Sequence, residues 1–238
     1  MKARNLILKT VGPNGEARGG FVWPLEVGAL VRPEKWDPTR ICGDGLHGLL
    51  HGRGNGKLLD WSSDAKWLVV EGLESIIYLG EKVKCKSAIV RHVGDRKSAT
   101  DFIRKHTAAS FIVGVTITGG DLATLTGGER ATLTGGYRAT LTGGDDATLT
   151  GGELATLTGG ELATLTGGAG ATLTGGYRAR LTGGDDATLT GGTSTRFRGG
   201  QGAVFITRLE NSVAVVGRDS IEPHVWYKNA DGRYIKIV

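Results

Sequence analysis

Cys42, His47 and His51 are spaced as three ligands of a tetrahedral zinc site could be, with Cys85 or His92 as a possible fourth. Nothing in the spacing fixes that fourth ligand, so a buried thiol beside ordinary histidines is expected and no metal is assigned. Residues 51–57, His-Gly-Arg-Gly-Asn-Gly-Lys, have the glycines and lysine of a phosphate loop. His51 stands where the first glycine belongs, however, and Leu58 where magnesium would need a hydroxyl. A flexible turn explains the run. Gly-Gly-Asp-Asp occurs at Gly143 and again at Gly183, but calcium-binding solenoid turns need an Asp in every repeat and most repeats here lack one. No Gly-x-Ser-x-Gly elbow, His-Glu-x-x-His pair or other nucleophile with a paired base is present, so no catalytic residue and no cofactor are assigned.

The remaining chemistry is repetitive. From Val115 the sequence recurs every eight residues as Ala-Thr-Leu-Thr-Gly-Gly plus two variable positions, the mark of stacked units. Four residues of each octad alternate, so Ala and Leu share one face of a strand and both threonines the other. The Gly-Gly pair is expected to supply the positive φ and close approach of a tight corner. Two octads close a flattened coil over a thin Ala/Leu interior, whereas three would enclose more space than these side chains fill. The expected fold is mainly β: a two-sided parallel β-solenoid of about six 16-residue coils over residues 111–202. A small α+β head, residues 1–110, precedes it and a β-rich cap, residues 203–238, closes it.

That register sorts the outward residues. On one face Thr124, Thr140, Thr156, Thr172 and Thr188 stack beside Thr126, Thr142, Thr158, Thr174 and Thr190. Coil spacing would be about 4.8 Å, with ~7 Å along each strand. Such an array of methyl and hydroxyl groups can order water; equally, threonine is simply the β-branched residue that suits an exposed strand. The other face ends in Arg180, Arg196 and Arg198, a cluster able to pair with acidic groups or phosphate. Inward positions run from Ile117 through nine leucines to Phe197 and Phe205, a closing plug. Tyr137-Arg138 recurs at Tyr177-Arg178, forty residues or five octads on, so the copies fall on opposite sides and read as solvating corners.

In the head, strands are expected at residues 5–11, 20–23, 67–71, 75–79 and 82–91, with a helix capped by Ser98. In the cap they are expected at 203–207, 212–217, 224–227 and 233–237. The net charge of +5 comes from the first 110 residues, with 18 Lys and Arg against 12 Asp and Glu. These cations are scattered without aromatic interleaving, so nucleic acid is not an expected partner. Two cysteines make no disulfide framework, and the apolar run after Lys2 and Arg4 is too short for a leader. No stretch suits a membrane span. A cytoplasmic location and no membrane partner are therefore expected.

The octads resemble the repeats of bacterial ice-nucleation proteins. Thr132-Leu133-Thr134 and its copies match a Thr-x-Thr strand on a sixteen-residue coil, and Arg180, Arg196 and Arg198 match a late exchange of Thr for Arg. The resemblance covers about ninety residues; known nucleators have far more coils and a secretion domain. The flanks, Cys42-Gly43-Asp44-Gly45-Leu46-His47, Lys82-Val83-Lys84-Cys85, Asp219-Ser220-Ile221-Glu222-Pro223 and Trp226-Tyr227 among them, resemble an uncharacterised phage and prophage family that sets such a head before octads. Gly45-Leu46-His47 and Val69-Val70-Glu71 are similar, at fold level only, to ADP-ribosyltransferase-like domains. That likeness implies NAD-related binding or activity; together with the zinc-type spacing it leaves Cys42, His47, His51 and Glu71 as the head's candidates. The leading expectation is a non-enzymatic solenoid that binds a protein, such as a host-defence or host-machinery component, or assembles with itself as a homo-oligomer. NAD chemistry in the head and water ordering on the Thr ladders are the alternatives.

Overall fold

A computed structural model describes residues 5–208 and 212–237; Lys2 and Arg4 lie outside the described residues. The chain divides between Val115 and Thr116 into two compact units.

The first unit holds β1 (Leu6–Val11), β2 (Leu30–Val31), β3 (Leu46–Leu50), β4 (Lys66–Gly72), β5 (Ile77–Tyr78), β6 (Val83–Cys85) and β7 (Ala88–Gly94). They form one sheet in the order β2-β7-β4-β1-β3-β6-β5, every neighbour antiparallel. Ile7, Val11, Trp23, Val31, Leu68, Val70 and Val90 make a continuous buried cluster, and α1 (Arg96–His106) packs on β4 and β7. The helix begins earlier than expected. Asp95 is its cap, accepting from the Ser98 backbone N–H at 2.7 Å, while the Ser98 hydroxyl accepts from the Asp95 N–H at 3.1 Å. Ser98 is thus the third residue of a reciprocal capping box.

Two strand expectations are corrected, and two strands, β2 and β3, were not expected. Residues 20–23 contribute only the isolated bridge Glu16↔Val22, because Gly19 and Gly20 at φ +90 and +86 turn the chain. Residues 82–91 are two strands, interrupted at Lys86 and Ser87, with the Ser87 carbonyl accepting from the Leu73 N–H. β3 was not expected: Leu-His-Gly-Leu-Leu has neither alternation nor β-branched residues, and its conformation comes from pairing between β1 and β6.

The second unit is a two-sided parallel β-solenoid of six sixteen-residue coils. One sheet stacks strands Thr116–Thr118, Thr132–Thr134, Thr148–Thr150, Thr164–Thr166, Arg180–Thr182 and Arg196–Arg198. The other stacks Thr124–Thr126, Thr140–Thr142, Thr156–Thr158, Thr172–Thr174, Thr188–Gly191 and Val204–Thr207. Register is strict: Thr132 lies opposite Thr148 and Leu133 opposite Leu149, sixteen residues on, and this holds throughout. From Leu133 to Leu189 the inward leucines are buried, as are the alanines from Ala131 to Ala187. Burying one leucine contributes roughly 1.5–3 kcal/mol, so a column of them outweighs the modest helix and turn preferences of so glycine-rich a chain.

The corners work differently from expectation. Neither glycine of the pair has positive φ; the left-handed residue is the second variable position, with Leu122, Arg130, Arg138, Asp146, Leu154, Leu162, Arg178, Asp186 and Ser194 all between φ +52 and +60. None of them is β-branched, consistent with the steric cost of that region. The glycines instead give clearance. A Cβ on Gly143 would lie 2.6 Å from the Ala147 Cβ, and one on Gly168 would lie 2.7 Å from the Glu153 backbone N of the coil before.

The end of the core is closed by rings. Phe197 and Phe205 stack at 5.3 Å, and Tyr234 lies 5.8 Å from each. Ser212–Val215 pairs antiparallel with Val204–Thr207, and Tyr227–Ala230, followed by Arg233–Lys236, pairs antiparallel with Arg196–Arg198. Each sheet therefore ends on an antiparallel strand, which blunts its open edge. The strand expected at 224–227 starts at Tyr227 because Pro223 precedes it and His224 is left-handed at φ +60.

Candidate functional site

Parallel pairing fixes the outward rows. On the uninterrupted sheet Thr124, Thr140, Thr156, Thr172 and Thr188 are successive Cα partners, as are Thr126, Thr142, Thr158, Thr174 and Thr190. Val204 and Ile206 continue the two rows, so they end in β-branched side chains rather than charge. The backbone between the rows is consumed by the ladder, as where the Thr140 N–H donates to the Ala123 carbonyl at 2.8 Å. Among the described residues no hydrogen bond ties any of these ten hydroxyls to another group of the chain. The face is therefore a grid of identical, uncharged methyl and hydroxyl groups left to the solvent.

The opposite sheet carries the same grid from Thr116 to Thr166 and then changes character. Arg180 pairs with Arg196, and Thr182 with Arg198, so the three arginines are neighbours as the spacing required. The closing segment engages two of them: the Arg180 guanidinium lies 5.1 Å from the Trp226 ring centre, and Arg198 Nε donates to the His224 carbonyl at 2.8 Å. Stacking and a planar donor fork are what arginine offers over lysine at such a seam.

Tyr137 and Tyr177 sit on opposite corners. The Tyr137 carbonyl accepts from Leu122 and the Tyr177 carbonyl from Leu162, in separate corner stacks. Asp has a structural task at these corners. Asp121, Asp145 and Asp185 each use Oδ1 to accept the backbone N–H sixteen residues on, from Tyr137, Glu161 and Gln201 at 2.8–2.9 Å. The Gly-Gly-Asp pattern is thereby accounted for as a clamp between coils.

The head candidates are not drawn together. The thiol of exposed Cys42 accepts from Lys82 Nζ at 3.0 Å. Glu71 is held by Arg91 at 2.7 Å and lies level with Leu6 at the start of β1. His51 is a left-handed residue (φ +52) just after β3. His47 borders a cleft of about 420 Å³ whose walls include Lys9, Arg18, Phe21, Trp23 and Lys35. Burial first, and then the charges of Lys82, Lys9 and Lys84, pushes its imidazole down to about 4. Cys85 is buried, and burial pushes its thiol up to about 11. Among the described residues no three His, Cys, Asp or Glu side chains gather as a metal group. The basic groups around His47 were not picked out from the sequence. Lys84 is wholly buried at the centre of Val83–Cys85, where an apolar residue is the ordinary expectation.

Comparison with known proteins bears on the octads. The chain is 39% identical over 112 residues to an ice nucleation protein of Pseudomonas fluorescens, covering 44% of this chain and 9% of that one. It is 40% identical over 106 residues to an ice nucleation protein of Pseudomonas syringae and 36% over 106 residues to the ice nucleation protein InaU of Pantoea ananas, in each case 43% of this chain. The chain thus spans about a tenth of the length of the curated relatives it matches. No family model and no solved structure matches. The repeats are ice-nucleation-like, on a β-solenoid. The cytoplasmic expectation is corrected by these relatives, since ice nucleation proteins are anchored at the bacterial outer-membrane surface. Among the described residues no helix is long and apolar enough to cross a membrane.

Proposed function

We propose that the solenoid acts without catalysis, as a surface whose threonine grid holds water in an ice-like arrangement. The observation that carries this is the ten-threonine face, in strict register and free of charge over five successive coils. A charged side chain would impose its own hydration shell. A methyl group excludes water from one position while the neighbouring hydroxyl anchors it at the next, and the parallel register repeats that pair at about 4.8 Å. The similarity of the octads to ice nucleation proteins supports the same reading. Six coils offer a small face, so shaping of existing ice crystals is expected rather than nucleation of new ones. Thermal hysteresis of the full chain tests this: Thr140→Lys with Thr156→Lys should abolish it, and hysteresis that survives the double substitution removes the grid as its source.

A second reading has its own observation. Leu122, Tyr137 and Leu154 follow one another on a single corner and are 70%, 40% and 44% exposed. Such a stripe suits a second copy of the chain or another protein. On this reading the phage-type motifs of the head make a host-defence or host-machinery component the partner to test. Light scattering that finds a monomer, unchanged by Leu122→Glu with Leu154→Glu, counts against self-assembly.

A further inference from the structure

The head unit carries a second, independent feature: a cleft between β1, the turn at residues 17–23 and the segment at residues 43–47, with a volume of about 420 Å³. That lies within the range of small-molecule sites. Its lining carries the cations Lys9, Arg18 and Lys35 beside Trp23 and Leu46, while Lys82 and Lys84, the latter level with His47 on the neighbouring strand, lie just outside that lining. Lys9 is half-buried, with Nζ 5.9 Å from the centre of the Trp23 ring. Lys84 is buried, donating to the Ile41 carbonyl at 2.8 Å and lying 5.6 Å from the Trp36 ring centre. Lys82 is half-buried next to Cys42. Among the described residues none of these lysines, nor Arg18, lies within 4.0 Å of a carboxylate. The acids of the cleft, Glu34 and Asp44, are on its exposed rim.

Gathering like charges where water is scarce is unfavourable without a counter-charge. The chain registers this: burial, then Lys82 and Arg18, holds Lys9 below the ordinary lysine range. His47 bonds the Gly45 backbone, while its buried Nε2 makes no hydrogen bond. The backbone leaves room too. Gly19 and Gly43 both line the cleft, and nothing lies within 4 Å of where their Cβ atoms would be. Phe21, half-buried and edge-on to Trp23 at 5.7 Å, supplies an aromatic surface on the same wall.

We propose that this cleft binds a nucleotide, its phosphates set against Lys9 and Arg18 and its base against Phe21, with His47 in the same wall. An inorganic anion alone would leave Phe21 unused, and an aromatic ring alone would leave the lysines uncompensated. The inference does not depend on what the solenoid does.

Isothermal titration calorimetry of the full chain against ADP, GDP, CDP and UDP, with the matching nucleosides and inorganic phosphate as separate arms, tests it. At least one diphosphate should bind about tenfold or more tightly than its nucleoside and than phosphate. Lys9→Met and Phe21→Ala should each weaken that binding about tenfold, whereas Lys97→Met, which removes an exposed cation on α1, should leave it within about twofold. Should Lys9→Met unfold the head, as judged by circular dichroism, Arg18→Gln on the rim takes its place with the same expected loss. No heat from any of the four at millimolar concentration overturns the proposal. So does binding that phosphate alone reproduces, or that Phe21→Ala leaves untouched.

Discussion

The two units solve the same problem, covering a β-sheet, by opposite means. In the head, one sheet of seven strands is covered by one helix and by loops of unrelated sequence, and every contact is made once. In the solenoid one solution is copied: each leucine meets another leucine sixteen residues away, and an error in one octad would be felt by its two neighbours. Repetition makes a fold robust and easy to read, but it gives every surface position the same standing. The unique unit is hard to read, yet among the described residues it is the one that holds a wholly buried lysine, Lys84. The difference teaches where specificity can be stored: in a cleft in the one unit, in the evenness of a face in the other.

The largest expected effect probes how copied contacts end. Phe205→Ala removes a ring stacked on Phe197 and touching Tyr227 and Tyr234, and should cost about 3–5 kcal/mol. Because coils contact only adjacent coils, hydrogen exchange should quicken from Thr188 to Thr207 while the coil of Thr132 stays protected. Uniform loss of protection would mean that the solenoid is one cooperative block.

Acid separates the units. His47 is neutral in the fold down to about pH 4 but takes a proton near 6.5 when unfolded, and burial lowers His92 in the same direction. The unfolded head therefore binds protons first. Its stability is full above pH 6.5 and falls as pH drops toward 4, by up to about tenfold in the unfolding equilibrium per pH unit for each histidine. Residues 116–208 contain no histidine. Tryptophan fluorescence, four of whose five sources lie in the head, should show an acid-sensitive transition that His47→Gln flattens. Equal sensitivity in the two units would break the contrast.

Smaller is the effect at a corner glycine. Gly168 is not left-handed, so backbone entropy alone would make Gly168→Ala stabilising. Its Cβ would instead press on the preceding coil at 2.7 Å, and a loss of about 1–3 kcal/mol is expected in denaturant titration. Smallest is Leu162, left-handed at φ +57. Leu162→Gly should change stability by less than about 1 kcal/mol, whereas Leu162→Ile should lower it by about 1–2 kcal/mol. Equal outcomes for the pair would show that the corner is not held in that conformation.

How far the sequence could be read follows the same division. Alternation, period and side-chain volume were enough to place all twelve coil strands, the sixteen-residue register and the aromatic plug, since each depends on a local pattern repeated many times. The site of left-handed backbone was misassigned to the glycines because composition shows which residue tolerates such a conformation, not which one is forced into it. In the head, β3 and the buried Lys84 were invisible for a shared reason: both depend on partners forty or so residues away, Leu46 on Cys85 and Lys84 on Ile41. The Thr grid was legible as an arrangement, whereas a cleft assembled from residues 9 to 47 leaves no periodic trace.

The even face is the central claim, and ice-affinity partitioning of fluorescently labelled protein tests it most directly. The chain should enter a slowly growing ice front. Thr140→Lys with Thr156→Lys on the uninterrupted sheet should exclude it, and Arg180→Thr with Arg196→Thr, which extends the grid on the other sheet, should increase its uptake. Exclusion of the unaltered protein from the front, or equal uptake of all three proteins, would contradict the account.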